Sequence, residues 1–327
     1  MINKIFEKLS LALLNCPVCN NDIELKENEN YFSCKNEFCK TNFPIFNGIP
    51  CLLNEGNSVF TNKDFANQKD TFFKLSENKF IKAAKAVIPV LSLNVNTRIN
   101  YINFAKQLLK GNNTGNKMKV LVLGGSVIGK GMNELLHNYP TAIEFIETDV
   151  SFGPRTMLIC DGHNLPFKDN SFDGVIVQAV LEHVVDPYSC VKEIYRVVKM
   201  GGIVYAETPF MQQVHGRQFD FTRFSHLGHR RLFRQFEQLD SGAVCGPGMA
   251  LAWSYKYFLI SFSNNSAVRK VLDIFARFTS FYLKYFDYYL IKKKGSLDAA
   301  SGYFFIGKKT GEVLSDKELL KLYKGAF

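Results

Sequence analysis

The chain has 327 residues, of which 46% are hydrophobic, a formal net charge of +10 and eight cysteines. That size and apolar share exclude a disordered or fibrous chain and point to one catalytic-sized domain with a small module attached. No run reaches the ~20 apolar residues of a membrane-spanning helix. No secretory leader is legible ahead of Cys16, so a reducing, cytoplasmic setting is expected. The positive charge suits an anionic partner (nucleic acid, an acidic glycan or a lipid surface) or simply a solvated basic face.

Four cysteines fall in one window near the start. Cys16-Pro17-Val18-Cys19 forms a tight pair, and Cys34 and Cys39 form a second, looser one. Ile23-Glu24-Leu25 and Tyr31-Phe32-Ser33 read as a hairpin that would bring the pairs together. Two such pairs make a tetrahedral zinc site with no open position, hence a structural one. The competing reading is an apolar module whose cysteines stay free. The run that follows includes Pro44-Ile45, Gly48-Ile49-Pro50 and Leu52-Leu53. With the cysteines, it resembles the small zinc-ribbon family that activates several tRNA and translation-factor methyltransferases. A zinc ribbon is therefore expected over residues 1–54, with Cys51 packed outside the ligand set.

Residues 55–115 read as a linker, at Gly56-Asn57-Ser58, and a helical cap. Phe72, Leu75, Phe80, Ala83, Ala84, Val87 and Ile88 recur at near-helical spacing, and Arg98 to Leu109 forms a second amphipathic stretch.

From residue 116 the texture changes. Val120-Leu121-Val122-Leu123 is a continuous apolar run, as in a buried parallel strand. Gly124-Gly125-Ser126-Val127-Ile128-Gly129 follows, then a helix over Met132 to Asn138. Such a glycine turn lets a ligand approach the backbone closely. Further strands are expected at Ile143 to Glu147, delivering Asp149, at Met157 to Cys160, delivering Asp161, at Phe172 to Gln178, and at Ile203 to Glu207. A helix from Asp186-Pro187 to Val198 precedes Gly201-Gly202. This alternation predicts an α/β, doubly wound sheet. Glycine turn and acid alone would also fit a NAD enzyme, but Ser126 replaces the middle glycine of that fingerprint. Tyr195 and Lys199 match a dehydrogenase spacing, yet Lys199 sits at a helix end within a different motif.

That motif joins Asp161-Gly162-His163-Asn164-Leu165-Pro166-Phe167, Ser171-Phe172-Asp173, Leu181-Glu182-His183 and Arg196-Val197-Val198-Lys199-Met200-Gly201-Gly202. Over roughly 117–210 it resembles the class I S-adenosylmethionine-dependent methyltransferases of the type 11 group. The resemblance implies a Rossmann-like sheet and a cofactor site. Gly124, Gly125 and Gly129 would border the methionine half and Asp149 would bind the ribose. Asp161, Gly162 and His163 would border the adenine, and Gln178 would lie near the methyl group. Two positions depart from the pattern: Val122 stands where the leading acid of the glycine motif belongs, and Met200 replaces a proline.

Beyond the fifth strand, residues 208–231 mix His, Asp, Arg and aromatics without amphipathic period. That suits a substrate lid over an anionic or hydroxylated acceptor. His183 and His215 are candidate bases, Asp220 an orienting partner and Arg223 a clamp for an acidic group. The aromatic region Met249 to Ile291, with Phe275, Phe278, Phe281, Tyr282, Tyr285 and Phe286 on one helix, reads as a buried or dimer-forming helix, or else as a peripheral lipid contact. The whole would be a methyltransferase domain over 116–310, with a lid and helical insertion at 209–295 and a tail at 311–327. The expected acceptor is a small, lipid-linked or glycan-type molecule. The alternatives are an RNA methyltransferase, disfavoured because Gln178-Ala179-Val180-Leu181 replaces the Asn-Pro-Pro-Tyr type of run, and a non-catalytic binding protein that keeps the fold.

Overall fold

A computed structural model describes residues 10–26, 30–66, 87–110, 112 and 115–326. The helix expected from Phe72 through Ala84 lies outside the described residues.

Two sheets organise the described residues. The first is a four-stranded antiparallel meander, β1 (Ile23–Lys26), β2 (Tyr31–Cys34), β3 (Asn42–Phe46) and β4 (Ile49–Pro50). The second has seven strands: β5 (Met118–Leu123), β6 (Ile143–Asp149), β7 (Leu158–Ile159), β8 (Phe172–Gln178), β9 (Val198–Pro209), β10 (Phe236–Cys245) and β11 (Gly302–Lys309). Their spatial order is β10-β11-β9-β8-β5-β6-β7, with β11 antiparallel to both its neighbours and β5 to β9 all parallel.

The apolar runs are continuous because both faces of this sheet are covered. Leu121, Leu123, Val175, Val177, Val204 and Ala206 enter one core cluster; the intervening Val120, Val122, Ile176, Ile203 and Tyr205 enter another. On the second face pack α1 (Thr97–Leu109), through Tyr101, Phe104 and Leu108, and α2 (Met132–Asn138), through Met132 and Leu135. On the first face packs α3 (Pro187–Val197), started by the Asp186 carboxylate, which accepts the Tyr188 and Ser189 N–H groups. The cysteine-bearing meander joins that same cluster through Phe32, Phe43, Ile45 and Leu52. Backbone bonds stitch it to the β7 edge: the Leu52 N–H donates to Ile159 O at 2.9 Å and the Asn15 N–H to Pro166 O at 3.1 Å.

Several expectations shift. The fifth strand begins at Val198 and carries Gly201-Gly202 inside it, with Gly201 at φ +79°. The stretch 209–295, expected as lid and helical insertion, contains β10, a full member of the sheet. The aromatic region is not one buried helix. It forms α5 (Pro247–Ile260), following α4 (His226–Leu232), then α6 (Ser266–Ser280) and a 3-10 turn (Phe281–Phe286). On α6 only Ala276 and Ser280 are buried, while Phe275, Phe278, Tyr282, Tyr285 and Phe286 are exposed among the described residues.

Candidate active site

After β5 the chain winds through β6 to β7, then returns to the other side of β5 for β8 and β9. Crossovers diverge at this point, and the crevice beyond the carboxyl ends of such strands is where open α/β sheets bind ligands. A cleft of about 410 Å³ lies there.

Its floor is the turn between β5 and α2. Gly124 adopts φ +71°, and a Cβ on it would come within 2.5 Å of Val180 Cγ2. A Cβ on Gly125 would meet Glu147 Cβ at 3.0 Å, and one on Gly129 would meet Gln178 Oε1 at 2.2 Å. The turn is therefore bare backbone where it faces the cleft. Asp149 closes β6 beside it. Its Oδ2 accepts the Ser126 N–H at 3.0 Å, and burial raises its carboxyl above the usual carboxylate range. Glu147, two residues earlier, is paired with Arg155 at 2.6 Å.

Asp161, Gly162 and His163 line the far wall. Asp161 Oδ1 accepts from the His163 backbone N–H and ring Nδ1, at 3.0 and 2.5 Å; Oδ2 accepts from Ser58 Oγ at 2.5 Å. Burial works to raise the Asp161 carboxyl, but these donors outweigh it and hold it low. The same bond to Asp161 raises His163. Ser58 comes from the segment read as a plain linker, and Val59 and Phe60 beside it also line the cleft.

On another side of the cleft, Gln178, the last residue of β8, is paired with Glu207 near the end of β9. Gln178 Nε2 donates to Glu207 Oε2 at 2.9 Å, and its Oε1 accepts Tyr101 OH at 3.1 Å. Thr97 Oγ1 and Tyr205 OH also donate to Glu207, whose carboxyl is raised by burial. Helix α1 thereby fixes the cleft's rim, a role that amphipathic spacing alone did not reveal.

His183, His215, Asp220 and Arg223 come together, with Gly216 packed against the His183 ring. The two imidazole rings are 4.9 Å apart in an edge-to-face arrangement. The Glu182 carboxylate raises His215, with burial opposing. Asp220 Oδ2 accepts the His215 and Gly216 backbone N–H groups at 2.7 and 3.0 Å and lies 3.6 Å from the His215 ring. Arg223 corrects its expected role. Its guanidinium donates to Asp220 and to the carbonyls of Gln212, Gln213 and Thr222, so it pins its own loop and has no fork to offer a ligand. That pairing holds Asp220 far below the ordinary range against the raising effect of burial. Glu182, which the sequence reading quoted without a role, is fully buried between the two histidines.

Away from the cleft, Cys16, Cys19, Cys34 and Cys39 converge. Cys16 and Cys39 sulfurs lie 3.8 Å apart, those of Cys19 and Cys34 3.4 Å, and all four within 4.8 Å. No disulfide links them. Four sulfurs ~2.3 Å from one zinc would sit roughly 3.8 Å apart, so the cluster fits that ion. The Asn36 N–H approaches Cys34 Sγ at 3.4 Å, as a thiolate would favour.

Residues 135–206 match the family model described as a methyltransferase domain, Methyltransf_11. A demethylmenaquinone methyltransferase of Staphylococcus epidermidis is 43% identical over 67 residues, covering 19% of this chain and 28% of that protein. The chain thus spans about a quarter of the length of that relative. A UPF0434 protein of Shewanella piezotolerans is 42% identical over 48 residues, covering 15% of this chain and 81% of that protein. Among solved structures, the complex between the Haloferax volcanii Trm112 methyltransferase activator and the putative methyltransferase aligns with 17% identity and a TM-score of 0.38, over 72% of this chain and 99% of that chain. Over the 48 residues shared with the Shewanella protein the chain belongs to the UPF0434 family, and part of its seven-stranded domain, residues 135–206, matches the methyltransferase domain model.

Proposed function

We propose that the cleft holds S-adenosylmethionine along the β5 turn and methylates a small, lipid-linked or glycan-type acceptor that enters beneath the 209–229 loop. The observation that carries this reading is the bare glycine turn with Asp149 beside it, at the point where the strand order reverses. Gly124, Gly125 and Gly129 would border the methionine half, Asp149 the ribose, Asp161, Gly162 and His163 the adenine, and Gln178 the reacting end. Bound there, the cofactor supplies a methyl group already activated on a sulfonium, so the protein's task is alignment and exclusion of water. Asp149 stands at the end of β6, where a carboxylate can accept from the two hydroxyls of a ribose. Both histidines line the cleft, and Asp220 holds the His215 backbone N–H.

The likeness to a demethylmenaquinone methyltransferase supports an acceptor of lipid type. So does the exposed aromatic surface of α6 and the turn after it, flanked by Lys292-Lys293-Lys294, which suits a peripheral contact with anionic lipid. The four cysteines are assigned a structural zinc, in a ribbon over 1–54 that precedes a cap over 55–115 and the catalytic domain over 116–310.

Methyl-tritiated cofactor tests the acceptor class. The protein is incubated separately with a short-chain isoprenyl quinol, with oligosaccharides and with total RNA. Label in the quinol or oligosaccharide is expected; label in the RNA alone would overturn the acceptor reading.

A further inference from the structure

Glu182 is fully buried, and neither of its carboxylate oxygens has a hydrogen-bond partner among the described residues. A buried carboxylate without donors is strongly disfavoured unless positive charge is brought to it. What surrounds it is two imidazoles. His183 Nε2 and His215 Nε2 each lie 3.7 Å from the same oxygen, Oε1. That is too long for hydrogen bonds, which run roughly 2.7–3.2 Å. It is near the spacing of ligands around a shared ion, since atoms ~2.1 Å from one cation sit roughly 3–3.5 Å apart. All three ligand atoms lie within 4.8 Å of one another.

The ring orientations agree with this. His183 Nδ1 is 2.8 Å from Phe219 O, and His215 Nδ1 is 3.2 Å from Gln213 O. Each ring so placed donates its Nδ1–H to a carbonyl and keeps the Nε2 lone pair, the arrangement that orients metal-ligating imidazoles. The loop is built to hold that pose. A Cβ at Gly216 would come 2.4 Å from His183 Nδ1, so only glycine lets the loop close over that ring. Asp220, clamped by Arg223, receives the His215 and Gly216 N–H groups.

We propose that Glu182, His183 and His215 bind one first-row divalent cation whose remaining positions open into the cleft. Two imidazoles with one carboxylate favour Mn²⁺, Fe²⁺, Co²⁺ or Zn²⁺ over Mg²⁺ and Ca²⁺, which prefer all-oxygen sites. All three residues line the cleft. Open positions facing it would take an oxygen donor of the acceptor, such as a hydroxyl. This last step rests on the methyltransferase reading above and narrows its acceptor to one that carries oxygen beside the methylated atom.

The test is a Mn²⁺ titration of the full chain, carrying one equivalent of Zn²⁺ for its four cysteines, followed by the loss of the free-ion electron paramagnetic resonance signal. One Mn²⁺ per chain is expected in the wild type, with affinity at least tenfold weaker in His215→Ala and in Glu182→Gln. His215 lies on a surface loop, so its variant tests the site even where removal of buried Glu182 unfolds the domain. A wild type that takes up no Mn²⁺, or a His215→Ala variant that binds it as tightly, would overturn the proposal. S-adenosylmethionine titrated into the same samples separates the two ideas. Cofactor binding without Mn²⁺ sinks the metal site alone; Mn²⁺ binding without cofactor keeps the metal site and sinks the cofactor assignment.

Discussion

Asp149 and Ser126 are joined at a turn that lacks the leading acid of the usual glycine motif. Val122 stands in that position and packs into the core, while the Ser126 N–H ties the turn to the Asp149 carboxylate. Replacing Asp149 by Ala is expected to weaken S-adenosylmethionine binding by about 1.5–3 kcal/mol, roughly 10- to 150-fold, the range of hydrogen bonds to a charged group. Unchanged affinity by calorimetry would show that the ribose lies elsewhere. A second residue-scale prediction concerns His229, buried against Phe233 and Phe305, whose pKa burial lowers to about 3. The unfolded chain takes up this proton below the ordinary histidine value of ~6.5 and the folded chain does not. Stability is therefore full above that pH and falls as pH drops towards 3, by about 2 kcal/mol between pH 7.5 and 5. His229→Leu should flatten that part of the urea-denaturation profile; an equally steep profile would exclude the buried imidazole as its cause.

At the scale of elements, sequence legibility followed burial. Strands β5, β6 and β8 were readable because both their faces are apolar, and α3 because Asp186-Pro187 is a strong start signal. Strand β10 was not. It pairs only with β11, its middle positions are half-buried, and Asp240, Ser241 and Gly242 interrupt its pattern. The candidate site was legible as a set of residue types, since the Leu181-Glu182-His183 run and the mixed loop after β9 both reached it. Its internal wiring was not, because Arg223 bonding its own loop and Glu182 lying buried between two rings are tertiary facts. The β5–α2 turn offers a test at this scale. Gly124→Ala would force φ +71° on a side chain whose Cβ also strikes Val180. A loss of about 1–2 kcal/mol in stability is expected from the left-handed backbone, together with weaker cofactor binding. Val180→Ala added to it should relieve the clash but not the backbone strain; full recovery in the double variant would show that the clash alone was limiting.

At the scale of the whole molecule, the cysteine module and the large sheet share one core, in which Phe32 and Phe43 join Leu158 and Phe167. Removing zinc should therefore destabilise more than the module. A strong chelator is expected to lower the melting temperature of the full chain by several degrees, because metal binding contributes to folding wherever the site forms only in the native state; an unchanged melting curve would mean that the four cysteines hold no ion. The exposed aromatics of α6 and its following turn carry the proposed lipid contact, which has its own test. Sedimentation with vesicles rich in phosphatidylglycerol should carry the protein down, less so with Phe278 and Tyr285 both changed to Ser, and equal sedimentation would remove lipid contact from the account. Beneath all of these stands the cofactor cleft at the strand reversal. The measurement that tests it most directly is calorimetric titration of the zinc-replete protein with S-adenosylmethionine and, separately, with NAD. The account predicts one site of micromolar affinity for S-adenosylmethionine, weakened in Asp149→Ala, and none for NAD. Binding of NAD, or of neither, would contradict it.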